Sequence, residues 1–210
     1  MEKLNYIRMP FDLGSLPEGW FSKGQINILY QLALAAKGPI LEVGPWVGRS
    51  TAVICHALAQ RADPVDFHTV DYGIASEEEW MTRFGEDLRK KPDPERYLRH
   101  INQPEGTITS LRRNLSERGL EERVTIHRGD FHEVCPPGEF SLIFCDATHS
   151  IAEIDSNVPA LLKRLAKGGI VACDDIHPAF EEHLRKTFKW KWAYVDSLLF
   201  YGEPETDLVG

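Results

Sequence analysis

The chain has no closely spaced cysteines. Cys55, Cys135, Cys145 and Cys173 stand far apart and form no C-x-x-C pair, which argues against a structural zinc site. Cys145 and Cys173 lie inside apolar runs and read as small buried thiols. That usage suits a reducing, cytoplasmic setting. No apolar run approaches the ~18 residues of a membrane span, and the first residues contain no apolar stretch of signal-peptide length. There is no internal repeat. Positive charge is in short supply: 24 Lys and Arg stand against 32 Asp and Glu, for a net charge of −8. Proteins that live on phosphate contacts carry basic surfaces, so neither nucleic acid nor an anionic membrane is expected as a partner.

What is present is the material of one α/β domain spanning residues 1–210. The hydrophobic fraction of 42% is ordinary for a globular chain. Short apolar runs alternate with longer amphipathic ones. After a helix over Lys23–Ala36, strands are predicted at Pro39–Gly44, Val65–Asp71, Val124–His127, Phe140–Asp146 and Ile170–Asp174. Helices are predicted at Thr51–Arg61, around Ile108, Leu111 and Leu115, and around Leu161, Leu162 and Leu165, the last stopped by Gly168-Gly169. This rhythm predicts a doubly wound, Rossmann-like parallel sheet with helices on both faces. The tail departs from it. A helix over Phe180–Phe188 precedes two β-rich runs, Lys191–Val195 and Leu198–Tyr201, which read as a hairpin and an antiparallel edge, for seven strands in all.

One connection is longer than a crossover needs. Its excess, residues 76–105, is rich in charge and interrupted by Pro92, Pro94 and Pro104. Trp80, Phe84 and Leu88 recur at helical spacing. The segment reads either as a solvated excursion or as a substrate lid, because it leaves the carboxyl edge of the sheet where ligands bind.

The sharpest local signal is Glu42-Val43-Gly44-Pro45-Trp46-Val47-Gly48-Arg49-Ser50-Thr51, between a strand and a helix. Glycines here let the backbone turn tightly beside a ligand, and the helix offers free N–H groups. The dinucleotide fingerprint G-x-G-x-x-G fails, since positions 46 and 49 are Trp and Arg; the phosphate loop fails on spacing and on Arg49 in place of Lys. The remaining acidic-x-Gly-x-x-x-Gly pattern resembles motif I of the class I S-adenosylmethionine-dependent methyltransferases. Asp71 ends the second strand, where that family's acidic residue binds the ribose hydroxyls. Asp130-Phe131 follows the third strand, where family members hold the adenine. The resemblance implies that Glu42, Gly44, Gly48, Ser50, Thr51, Asp71, Tyr72, Asp130, Phe131 and Asp146 hold S-adenosylmethionine.

Strand four ends in Asp146-Ala147-Thr148-His149, and strand five in Asp174-Asp175-Ile176-His177. Three carboxylates at one sheet edge repel unless a cation or protons intervene, and hard oxygen ligands suit Mg²⁺. His149 or His177 could then take a proton. The pattern resembles the metal-dependent small-molecule O-methyltransferases of the macrocin and novobiocin tailoring type. That resemblance implies Asp146, Asp174 and Asp175 as metal ligands, and His149, beside Asp146, as the catalytic base. It departs at Ala147 and Ile151, where the family has Gly and Tyr. The expected activity is O-methylation of a small hydroxylated molecule, with a second copy of the chain admitted as a partner. Alternatives are a metal-independent N- or O-methyltransferase and a non-catalytic cofactor-binding subunit. The remaining histidines, His56 and His100 among them, have no constellation around them in sequence. Most of the five tryptophans read as core packing.

Overall fold

A computed structural model describes residues 4–205. After the N-terminal segment comes α1 (Lys23–Ala35), opened by a reciprocal cap in which the Ser22 hydroxyl accepts from the Gln25 N–H and the Gln25 side chain accepts from the Ser22 N–H. Then follow β1 (Ile40–Val43), α2 (Arg49–Leu58), β2 (Phe67–Asp71), α3 (Glu77–Phe84), α4 (Pro94–Ile101) and α5 (Thr107–Ser116). The second half runs β3 (Thr125–Arg128), α6 (Phe131–Val134), β4 (Phe140–Cys145), α7 (Ile151–Leu162), β5 (Leu165–Cys173), α8 (Pro178–Thr187), β6 (Trp190–Asp196) and β7 (Leu199–Pro204).

The strands form one seven-stranded sheet in the order β3-β2-β1-β4-β5-β7-β6. The alternation of side chains sorts the core into two layers. On one face Ile40, Phe67, Leu142, Phe144 and Ala172 pack beneath α1, α2 and α5; on the other Leu41, Val70, Ile143, Val171 and Phe200 pack beneath α6, α7 and α8. β1 pairs in parallel with both β2 and β4, so the strand order reverses at the end of β1. That point opens the crevice in which doubly wound sheets bind ligands.

Three details differ from the sequence expectation. Leu165 begins β5 rather than continuing a helix, and Gly168-Gly169 lie within the strand, where pairing with β4 shifts between Phe140 and Leu142. The helix of the insert ends at Phe84 with Gly85 as a left-handed cap, so Leu88 sits in a separate 3₁₀ turn. The hairpin turns at Ser197-Leu198, both at positive φ, as a two-residue loop matched to strand twist requires. As expected, the C-terminal hairpin forms one edge of the sheet; within it β7 lies between β5 and β6, antiparallel to both.

The insert has a small core of its own. Ile74, Trp80, Leu88, Leu98 and Ile101 bury one another and pack on Trp46 and Tyr72 of the sheet edge. This apolar patch holds α3 and α4 over the crevice in spite of their charged outer faces.

The central position of β7 leaves no space at Gly202. A Cβ there would stand 2.1 Å from the Trp192 carbonyl oxygen and 2.5 Å from Trp190 Cδ1. Gly202→Ala is therefore expected to lower stability by about 1–3 kcal/mol, the usual cost of overpacking. Urea unfolding checks this, and a midpoint equal to that of the wild type would contradict the tight β6–β7–β5 packing.

Candidate functional site

The loop after β1 is built around close contact. Gly44 has φ +85, and a Cβ on it would lie 2.4 Å from the Asp146 carbonyl oxygen. Only glycine lets the ends of β1 and β4 approach in this way. Gly44 N–H also donates to the Val70 carbonyl at 3.0 Å and Asp146 N–H to the Val43 carbonyl at 2.8 Å. The three strand ends thus form one rim, above a cavity of about 990 Å³.

Gly44, Ser50, Asp71, Tyr72, Phe131 and Asp146 line that cavity, as do His149, Asp174 and Asp175. Glu42, Gly48, Thr51 and Asp130 do not. Glu42 is fully buried behind the loop. Its carboxylate accepts from Ser50 Oγ at 2.6 Å, Thr51 Oγ1 at 2.7 Å and Thr69 Oγ1 at 2.8 Å. It braces β1, α2 and β2 against one another. Burial pushes its pKa up to about 7, although the three hydroxyls oppose the shift. Asp130 caps α6 and lies 3.7 Å from Arg83 of the insert, whose guanidinium stacks 3.4 Å over the Tyr72 ring.

Asp71 is held firmly at one oxygen. Its Oδ1 accepts from the Gly73 N–H at 2.7 Å and Thr107 Oγ1 at 2.8 Å. Burial raises its pKa, and these donors and the Trp46 N–H oppose the rise. Asp71 lines the cavity and enters no salt bridge among the described residues, so its carboxylate keeps acceptor capacity for hydroxyl donors.

The acidic end differs from expectation in its membership. Oxygens of Asp146 and Asp175 and a ring nitrogen of His149 all lie within 4.8 Å of one another. His149 Nε2 is 3.6 Å from Asp146 and 3.7 Å from Asp175, and Nδ1 is 3.3 Å from Glu153. Hydrogen bonds to Asp146 and Glu153 raise its pKa to about 10. Asp174, which the sequence reading grouped with the metal ligands, is outside this set. It is buried, and its Oδ1 accepts from Gln25 Nε2 of α1. Burial, then the charge of Asp146, pushes its carboxyl well above the usual range. His177 caps α8 without a side-chain bond.

Several site residues were not legible beforehand. The Ser22-x-x-Gln25 spacing could have flagged Gln25 as a helix cap, but not its reach to Asp174. Glu153 stands four residues after His149, a spacing that could have flagged the pair. Three of the five tryptophans, Trp20, Trp46 and Trp80, line the cavity rather than serving only the core. His100 is buried and bonded on both sides, to Ser110 Oγ at 2.9 Å and Glu18 at 2.5 Å; it does have a constellation. The four cysteines are free and buried, Cys145 and Cys173 as expected. No helix among the described residues is long and apolar enough to cross a membrane.

The family described as methyltransferase domain matches residues 41–176. No curated protein matches the chain. Among solved structures, the fold is similar to the O-methyltransferase TomG of Streptomyces achromogenes, involved in tomaymycin synthesis and bound to S-adenosylmethionine. The TM-score is 0.52 at 19% identity, covering 84% of this chain and 77% of that one. An S-adenosylhomocysteine-bound methyltransferase of Podospora anserina gives 0.53 at 17% identity, covering 86% and 78%. A precorrin 8w decarboxylase of Methanobacterium thermoautotrophicum gives 0.55 at 17% identity, covering 94% and 96%.

The raised pKa of Glu42 makes stability depend on pH. The folded state holds this proton more tightly than the unfolded chain, whose glutamates titrate near 4.5. The contribution is fully present below that value and is lost as pH rises to about 7. Glu42→Gln keeps a side chain of the same size and removes the titration. Urea midpoints at the two ends of this window should differ less in Glu42→Gln than in the wild type; an unchanged difference would show that Glu42 is ionised throughout.

Proposed function

The chain belongs to the methyltransferase-domain family and is an S-adenosylmethionine-dependent methyltransferase; from that premise we propose that it methylates a hydroxyl oxygen of a small molecule, with Mg²⁺ assisting. The observation that carries this is the union of two features in one cavity: a glycine-turned rim ending in Asp71, and the Asp146–His149–Asp175 group on the same sheet edge.

The residues fit the cofactor. Gly44 lines the cavity with bare backbone, because only a residue without a side chain fits against the Asp146 carbonyl. Asp71 would accept the ribose hydroxyls, and Tyr72 and Phe131 flank the neighbouring space with aromatic surface. They also fit a hard divalent cation, since Asp146 and Asp175 offer carboxylate oxygens within one ion's reach. When bound, such a cation polarises a hydroxyl oxygen and lowers its pKa. The protein's part is positioning. The sulfonium is already activated, so aligning acceptor oxygen and methyl carbon at near-attack distance removes much of the barrier. His149 is the candidate proton acceptor. Asp146 and Glu153 hold a proton on it at neutral pH, so it acts as a base only when the negative charge beside it is balanced.

That same proton supports a second reading, a metal-independent transferase. Protonated His149 lies among Asp146, Asp175 and Glu153 and offsets part of their charge without any metal.

Two measurements test these readings. Calorimetry with S-adenosylhomocysteine should show binding that weakens at least about tenfold in Asp71→Ala, since charge-assisted hydrogen bonds contribute about 1.5–3 kcal/mol each. Undiminished binding would remove Asp71 from the cofactor site. Methyl transfer to a panel of hydroxylated acceptors should stop with EDTA, return with Mg²⁺, and be lost in Asp175→Ala. Full activity in EDTA selects the metal-independent reading.

A further inference from the structure

Two guanidinium groups beside the Gly19-Trp20 wall of the cavity have no carboxylate partner among the described residues. Arg49, the first residue of α2, lines the cavity. Its Nη1 donates to the Pro17 carbonyl at 2.8 Å, and its Nε is buried without a hydrogen-bond partner. Arg96 of α4 lies with its guanidinium carbon 4.0 Å from the centre of the Trp20 ring. Neighbouring cations are paired instead: Arg83 with Asp130, Lys91 with Glu86, and Arg99 with Glu18.

The two unpaired arginines clasp one dipeptide. The stem of Arg49 lies against Gly19, where a Cβ would stand 2.8 Å from Arg49 Cδ. Arg96 covers the next residue, Trp20. The adjacent acid, Glu18, is unavailable to either, because its two oxygens face Arg99 and His100. Burial and then the nearby charge of Arg96 lower the pKa of Arg49, so the two cations oppose one another. Trp20 is 57% exposed. It packs on Tyr97 at 5.5 Å and Trp46 at 6.4 Å, continuing an aromatic wall of the cavity. Two like charges beside an exposed aromatic ring, with the local acid already engaged, suit a planar anionic ligand. Guanidinium forks match a carboxylate in shape as well as charge.

We propose that Arg49 and Arg96, set on the Gly19-Trp20 step, bind a carboxylate, and that this carboxylate belongs to the methyl acceptor. The acceptor would lay a planar body against Trp20 and Trp46, with its acid at the mouth and its hydroxyl towards the Asp146–His149–Asp175 end. The proposal rests on the methyl-transfer reading for the identity of the ligand, though not for the existence of the anion site. The amino-acid end of the cofactor presents the same chemistry, so the experiment separates the two sources.

The variant is Arg96→Gln, at a half-exposed residue outside the cofactor rim. Arg112→Gln, an exposed arginine of α5, controls for lost charge. One arm measures calorimetric binding of S-adenosylhomocysteine and of 5′-methylthioadenosine, which lacks the amino-acid end. The other measures binding of 3,4-dihydroxybenzoate and of catechol, which differ by the carboxylate, and their methylation with S-adenosylmethionine. Arg96→Gln is expected to weaken dihydroxybenzoate binding about tenfold, the loss of one charge-assisted hydrogen bond. Catechol and both nucleosides should be unaffected, and Arg112→Gln should change nothing. Weakened S-adenosylhomocysteine with unchanged methylthioadenosine would assign the carboxylate to the cofactor and overturn the acceptor assignment. Dihydroxybenzoate that binds no better than catechol, with S-adenosylhomocysteine unaffected, overturns the site altogether. Arg96-dependent binding without methylation of either phenol would strike the O-methylation reading and leave the carboxylate site standing.

Discussion

A buried carboxylate with three hydroxyl donors sits beneath everything that faces the cavity. Glu42 has no exposure, and it ties Ser50 and Thr51 of α2 and Thr69 of β2 to the middle of β1. A buried carboxylate is costly unless its acceptors are filled, so the three donors and the acid fix one another's positions. The loop from Gly44 to Gly48 is strung between those fixed points. Its close approach to Asp146 follows from that brace together with the missing side chain at Gly44. An acid in a motif is readily taken for a ligand contact; here its position behind the loop makes it the support of the loop.

The carboxyl edge handles negative charge by several different means. Glu42 is surrounded by neutral donors, Asp71 is held at one oxygen by Gly73 and Thr107, and Asp174 is bonded to Gln25 from the first helix. Asp146 and Asp175 share His149 with Glu153. Each solution draws a partner from another segment of the chain. The edge therefore joins the N-terminal helix, the insert and the second half of the sheet into one site. The insert contributes to this in two places. Arg83 covers Tyr72 on one side, and Arg99 and His100 hold Glu18 on the other.

Much of the sheet was legible because a strand buried on both faces must be apolar along its whole length. Pro39–Gly44 and Phe140–Asp146 announce themselves in this way, and Gly44 and Asp71 fall at strand ends that spacing alone could locate. The errors have equally local causes. Leu165 continues the helical spacing of Leu161 and Leu162, yet its backbone joins β5, because burial in the sheet outweighs the local preference. Leu88 fits the periodicity of Trp80 and Phe84, but Gly85 turns the chain between them.

The sequence by itself determined the class of fold, the order of strands and helices, and which residues stand at the ends of strands, since these follow from hydrophobic periodicity and glycine placement along a single segment. Only the tertiary structure decided which partner each acid found. Glu42 turned inward to its hydroxyls, Asp174 turned to Gln25, and Asp146 and Asp175 turned to His149. Glu42 with Thr69, Asp174 with Gln25 and Asp175 with His149 each depend on a partner distant in sequence, and the energy of a buried charge is set by the partners that folding brings within hydrogen-bond distance rather than by its neighbours along the chain.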